Sequence, residues 1–111
     1  MALDFTHIKG DTFEEVNFAM ILNSVVLNLT GCTLRMQLRK EYGGVIFLSL
    51  TSVASAGITI TNASGGLFKI NRQIINIDAN NYIYDIELIK ADGTVKTYIS
   101  GNFVITNDVT R

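Results

Sequence analysis

The sequence predicts an all-β domain, an antiparallel sandwich of about seven or eight short strands. Three observations carry this. First, 43 of the 111 residues are Ile, Val, Thr, Phe or Tyr, the side chains that suit a pleated, half-buried surface. Second, apolar residues recur with a period of two, the pattern of strands with one dry and one wet face. Third, the apolar runs are separated at short intervals by Gly, Asn and Asp, and the chain has no Pro.

In chain order, Leu3–Ile8 is a short apolar segment that reads either as an arm or as the first strand of its own sheet. Val16, Phe18, Met20 and Leu22 share a face in Phe13–Leu22. Asn23-Ser24 and Thr30-Gly31 are turn signals. In Thr33–Lys40, Leu34, Met36 and Leu38 alternate with Arg35, Gln37 and Arg39. Gly43-Gly44 breaks the chain before an apolar run at Val45–Leu48. Ile58 and Ile60 alternate with Thr59 and Thr61, and Ser64-Gly65-Gly66 is the next turn. Arg72–Ile77 fits a helical turn or a crossing between sheets. Tyr82, Tyr84, Ile86 and Leu88 then alternate with Asp85 and Glu87. Ala91-Asp92-Gly93 reads as a tight hairpin turn into Val95–Thr106. Gly101, inside that last strand, predicts a bulge or bend. The expected core is Phe18, Met20, Leu34, Met36, Leu38, Phe47, Tyr84, Ile86 and Leu88.

Asp78 four positions before Tyr82 refines the fold class. Immunoglobulin-like sandwiches place a tyrosine at the start of their sixth strand, with its hydroxyl bonded back to nearby backbone. On this reading Tyr82 is that corner residue, Tyr82–Lys90 and Val95–Thr106 are the last two strands, and Thr33–Lys40 is their neighbour. The alternative is an ordinary strand tyrosine. The antibody-type Trp and disulfide are absent from the sequence, so the expected fold is immunoglobulin-like without being an antibody-type domain.

Composition narrows the chemistry. One Cys cannot make an intrachain disulfide, and one Cys with one His cannot supply a usual zinc site. A net charge of −1 carries no footprint for nucleic acid or an anionic membrane. The longest apolar runs fall far short of the ~18 residues of a membrane span. Met1-Ala2-Leu3-Asp4-Phe5 lacks a basic, then apolar, leader, so no signal peptide is expected. No linker or repeat divides the chain, and residues 1–111 read as one domain.

Each candidate group has a plain structural role. His7 has no neighbouring nucleophile or orienting residue in sequence and reads as a surface histidine. Cys32 follows a turn glycine and reads as a small hydrophobe. Glu14 and Glu15 point to opposite faces of a strand. Asp85 and Glu87 share a face and loosely resemble a carboxylate pair, but Arg35 and Arg39 on the neighbouring strand favour a ladder of cross-strand ion pairs. Asp78-x-Asn80 lacks the later ligands of a calcium loop. The sequons at Asn28 and Asn62 have no secretory signal beside them. Ser64-Gly65-Gly66 opens no helix and is no phosphate loop. The expected set of cofactors, metals and catalytic residues is therefore empty.

Several stretches carry a resemblance: Gly10-Asp11-Thr12-Phe13, Leu29–Arg39, Gly57–Thr61, Tyr84–Leu88, Asp92–Thr97 and Gly101–Thr110. Through them nearly the whole chain resembles small immunoglobulin-like structural proteins of phages and prophages, similar in type to the N-terminal domain of phage upper baseplate proteins. The resemblance implies a non-enzymatic virion protein, made in the host cytoplasm, that serves as an adaptor or accessory subunit of tail, baseplate or fibre attachment. It implies other virion proteins as partners and a homo-oligomer or repeated copies within an assembly, while the net charge leads to no expectation of a nucleic-acid or membrane partner. A capsid decoration or head-fibre protein of the same fold is one alternative, and a small carbohydrate-binding module another. The expected assembly contacts are Leu3, Phe5 and Ile8 of the N-terminal segment with Tyr42 and Tyr98. Asp78, Tyr82, Gly93 and Gly101 have structural roles.

Overall fold

The computed structural model describes residues 2–109. Strands β1 (Phe5–Ile8), β2 (Thr12–Phe13), β3 (Val16–Ala19), β4 (Ile21–Leu22), β5 (Val25–Val26) and β6 (Thr33–Arg39) make up the first part of the chain. They are followed by β7 (Leu48–Thr51), β8 (Ile58–Asn62), β9 (Leu67–Ile70), β10 (Gln73–Ile74), β11 (Asn80–Ile89) and β12 (Val95–Thr106). Four of these segments, β2, β4, β5 and β10, are only two residues long. The other eight match the strand number that the turn spacing predicts. The one helical piece among the described residues is the single turn Val53–Ser55, so none is long enough to cross a membrane.

A five-stranded sheet runs in the order β1-β12-β11-β6-β7, and a three-stranded sheet in the order β3-β9-β8. All their pairings are antiparallel except β1 with β12. The two sheets share one core. Leu34, Met36 and Leu38 of β6, Tyr82, Tyr84, Ile86 and Leu88 of β11, and Ile99, Phe103 and Ile105 of β12 meet Ile58, Phe68 and Ile70 of the smaller sheet. Strict alternation places these side chains inward and sends Arg35, Gln37, Arg39, Asp85 and Glu87 outward. The β11–β12 turn closes with Gly93 N–H on the Lys90 carbonyl at 2.9 Å. Its φ of 90° explains the glycine at that position.

Two expectations change, at Gly101 and at two aromatic residues, and two open alternatives resolve. The N-terminal segment is a strand and not a free arm. β1 pairs with β12 from Phe5↔Phe103 to Ile8↔Thr106, and Leu3 N–H donates to the Ser100 carbonyl at 2.9 Å. Phe5 packs its ring 5.2 Å from Phe103, 5.6 Å from Tyr84 and 5.8 Å from Phe13. Leu3 and Phe5 therefore serve the core, and only Ile8 of the proposed contacts in this segment is exposed.

Gly101 makes no bulge. It pairs in register with Tyr84, and the register shifts further along, where Ile86 faces Ile99 but Glu87 faces Thr97, so Tyr98 is the inserted residue. The glycine is needed because the Leu3–Asp4 backbone crosses against it. A Cβ there would meet the Leu3 carbonyl and come within 2.8 Å of Asp4 Oδ1. Two aromatic residues expected inside are less buried. Phe18 lies on β3, an edge of the smaller sheet, and stacks on Phe68 at 4.8 Å while staying half-buried. Phe47 precedes β7 outside the ladder, remains 37% exposed, and packs its edge on Tyr82 under the Lys40 ammonium. Finally, Arg72–Ile77 is the crossing and not the helical turn: Gln73–Ile74 forms β10, paired with β2.

Candidate functional site

The outward side of the five-stranded sheet is polar, and register sets its residues in rows. Ser100, Asp85, Gln37 and Ser49 lie opposite one another across β12, β11, β6 and β7. Thr97, Glu87, Arg35 and Thr51 form the next row, and Asn102, Ile83 and Arg39 the row on the other side. The connection after β6 turns at Gly43 and Gly44 and brings Tyr42 beside this face. Together these elements enclose an open groove of about 670 Å³, within the ~300–1,000 Å³ range of ligand sites. Gln37, Arg39, Tyr42, Asp85, Ser100 and Asn102 line it.

The expected ladder of ion pairs forms only in part. Arg35 donates to Glu87 at 3.2 Å, directly across the β6–β11 pair. Arg39 instead donates to the Gly44 carbonyl at 2.6 Å and to Gln37 Oε1 at 3.0 Å, which stiffens the turn that carries Tyr42. The Asp85 carboxylate accepts no hydrogen bond among the described residues. Burial raises its carboxyl above the usual range and the Glu87 charge adds to the rise, against the lowering effects of Arg39 and Arg35.

The remaining candidates lie elsewhere. His7 Nε2 donates to the Asp11 carbonyl at 3.0 Å, and the ring sits edge-on to Phe13. Cys32 is half-buried and free. Glu14 pairs with Arg72 and Glu15 with Lys69, each at 3.4 Å. The Asp78 carboxylate pairs with Lys9 at 3.3 Å, and Asn80 Oδ1 accepts the Asn81 N–H. No group of three His, Cys, Asp or Glu side chains converges among the described residues. Tyr42 is 93% exposed, whereas Tyr98 is half-buried against the core. The Tyr82 hydroxyl donates to the Asp78 carbonyl at 2.6 Å, the bond expected of a corner residue.

Sequence reasoning found Tyr42, Arg39 and Asp85 singly but not Gln37, Ser100 and Asn102. The signal was present in the alternation of Thr33–Lys40, which puts Gln37 on the wet face. Joining it to Ser100 requires the β11–β12 register, which depends on the position of the bulge. Among family models, curated proteins and solved structures, none matches this chain.

Proposed function

We propose that this chain is an immunoglobulin-like structural module of a phage particle, an adaptor or accessory subunit at the tail, baseplate or fibre attachment. The observation that carries the reading is a pair of apolar projections flanking β6, one before its first residue and one after its last. At one end β4 and β5 form a ribbon around Asn23 and Ser24, both at positive φ as a tight primed turn requires. Ile21, Val25 and Val26 stand exposed on it. This ribbon precedes the start of β6 and is tied to the turn before β9 by Met20 N–H on the Gly66 carbonyl. At the other end, beyond the last residue of β6, Val45 and Ile46 are exposed beside Phe47. Seven residues of β6 set the two groups roughly 20 Å apart along the strand.

Clustered exposed apolar side chains on projecting segments are the usual mark of protein contact. Two such clusters at opposite ends suit a connector held between neighbours. The sheet order supports the immunoglobulin-like part of the reading: β12-β11-β6 opposite β3-β9-β8 is the arrangement of that sandwich, with Tyr82 at its corner. A net charge of −1 permits close packing of copies. The test is mass spectrometry and electron microscopy of purified particles from a host that makes this protein. The expected result is the intact chain in stoichiometric copies at a defined position. Its absence from purified particles overturns the proposal.

A further inference from the structure

We infer that the groove on the outward face of the five-stranded sheet is a binding site for a neutral saccharide, with Tyr42 as its stacking platform and the Asp85–Gln37–Ser100 row as its hydroxyl-recognising floor. Three features of the groove converge on that ligand class. The first is charge. Arg35 and Glu87 neutralise each other at 3.2 Å, leaving Arg39 and Asp85 as one positive and one negative group along the floor. Such a balance selects neither an anion nor a cation, and suits a ligand whose groups both donate and accept.

The second is unmet hydrogen-bonding capacity. The Asp85 carboxylate accepts no bond from any described residue although it is partly desolvated and presents two acceptor oxygens. Gln37 spends its carbonyl oxygen on Arg39, leaving its amide N–H groups for a ligand. Ser100 and Asn102 add hydroxyl and amide groups that can both donate and accept. Gln37, Asp85 and Ser100 thus set a donor, an acceptor and a hydroxyl side by side at strand spacing, about 4.7–4.9 Å, so that each can meet a different hydroxyl of one ligand. The third is Tyr42. At 93% exposure its ring meets no core, yet the preceding strand residue Arg39 fixes the turn that carries it by donating to Gly44. An aromatic face held beside polar groups serves the C–H face of a sugar, and the phenol adds a polar tip.

A shallow site of this kind holds a single sugar at about millimolar strength. Detection therefore needs multivalent display, which raises avidity without new contacts. The site is independent of the particle reading: a chain absent from particles could still bind sugar, and a particle subunit could fail to.

The experiment presents fluorescently labelled, streptavidin-tetramerised full-length protein to a printed array of neutral, sialylated and sulfated oligosaccharides. The best neutral hit is then titrated by NMR into the 15N-labelled monomer. Binding to at least one neutral glycan is expected, with shifts centred on Gln37, Tyr42, Asp85, Ser100 and Asn102. Tyr42→Ala and Asp85→Asn should each lower the array signal at least tenfold while leaving the melting temperature near or above that of the parent. The Asp85→Asn variant separates recognition from the nearby Val45–Phe47 projection. No signal above background, binding confined to sialylated or sulfated glycans, shifts centred elsewhere, or full binding by both variants overturns the inference.

Discussion

Tyr82 and Tyr84 sit on the same face of β11, and each hydroxyl closes a different connection. Tyr82 holds the chain leading into β11 through the Asp78 carbonyl, and Tyr84 holds the N-terminal segment through the Leu3 carbonyl. Tyr82→Phe should cost about 0.5–1.5 kcal/mol, the net value of one hydrogen bond, read as a lower urea midpoint at unchanged slope. Burial, with a smaller push from Asp4, raises the Tyr84 phenol to about 12. Since the unfolded phenol titrates near 10, the advantage of a neutral Tyr84 is complete below pH 10 and is lost as the pH rises toward 12. Wild-type stability should therefore fall across that window. Tyr84→Phe should fall less steeply, though not level, because Tyr82 is raised by burial as well. Equal alkaline slopes for the two proteins would remove Tyr84 from this role. Asp85 follows the same rule at the other end of the pH scale. Its carboxyl is raised on folding, so its ionisation works against the fold above its ordinary titration range. Asp85→Asn should raise the urea midpoint at pH 7, with the difference vanishing near pH 3, where both side chains are neutral. A lower midpoint at pH 7 would mean that Asp85 has a stabilising partner after all.

Between elements, the parallel pairing of β1 with β12 decides what the N-terminal segment does. Deleting residues 1–9 removes four ladder positions, the Phe5 ring from its cluster with Phe13, Tyr84 and Phe103, and the acceptor of the Tyr84 hydroxyl. Truncating a well-packed Phe alone costs about 3–5 kcal/mol, against a total stability of about 5–15 kcal/mol. The truncated chain should be at best marginally folded, with poor dispersion in its proton NMR spectrum. A well-dispersed spectrum and an unchanged urea midpoint would restore the arm reading. The sequence could not separate arm from strand, because Leu3–Ile8 is short and its partner lies at the far end of the chain. Asp4 and the Asn102 amide it accepts are 98 positions apart. The same distance hid the purpose of Gly101. A glycine in a strand signals either a bulge or a close approach, and only the Leu3–Asp4 crossing shows which. By contrast, β6 and β11 were legible from alternation alone, since each buries one face completely and leaves the other wet. Phe47 misled because hydrophobicity reports a preference for burial, whereas the break at Gly43-Gly44 takes the residue out of the ladder that would have enforced it.

At the scale of the whole molecule, the core and the two ends make separate demands on the same sequence. The core is continuous through both sheets, yet Ile21, Val25 and Val26 at one end and Val45 and Ile46 at the other stay outside it. A two-stranded ribbon as short as β4–β5 has little stability of its own, so its apolar side chains are retained at a cost in solubility that a partner would offset. If both ends dock, a single charge at either one should exclude the subunit from its assembly without unfolding it. Val25→Asp and Ile46→Asp replace exposed residues, and each should change stability by no more than about 0.5 kcal/mol. Each places a charge where contact would desolvate it, a penalty of several kcal/mol that docking would have to overcome. Supplied in excess to particles lacking this chain, both variants should fold normally and fail to incorporate. Lys96→Asp, a charge change on an exposed polar residue of β12, should incorporate like the wild type. If only one of the two apolar variants is excluded, the chain is a terminal decoration held at one end. If both incorporate fully, the apolar ends are not the contacts, and the connector reading falls even where the protein is found in the particle.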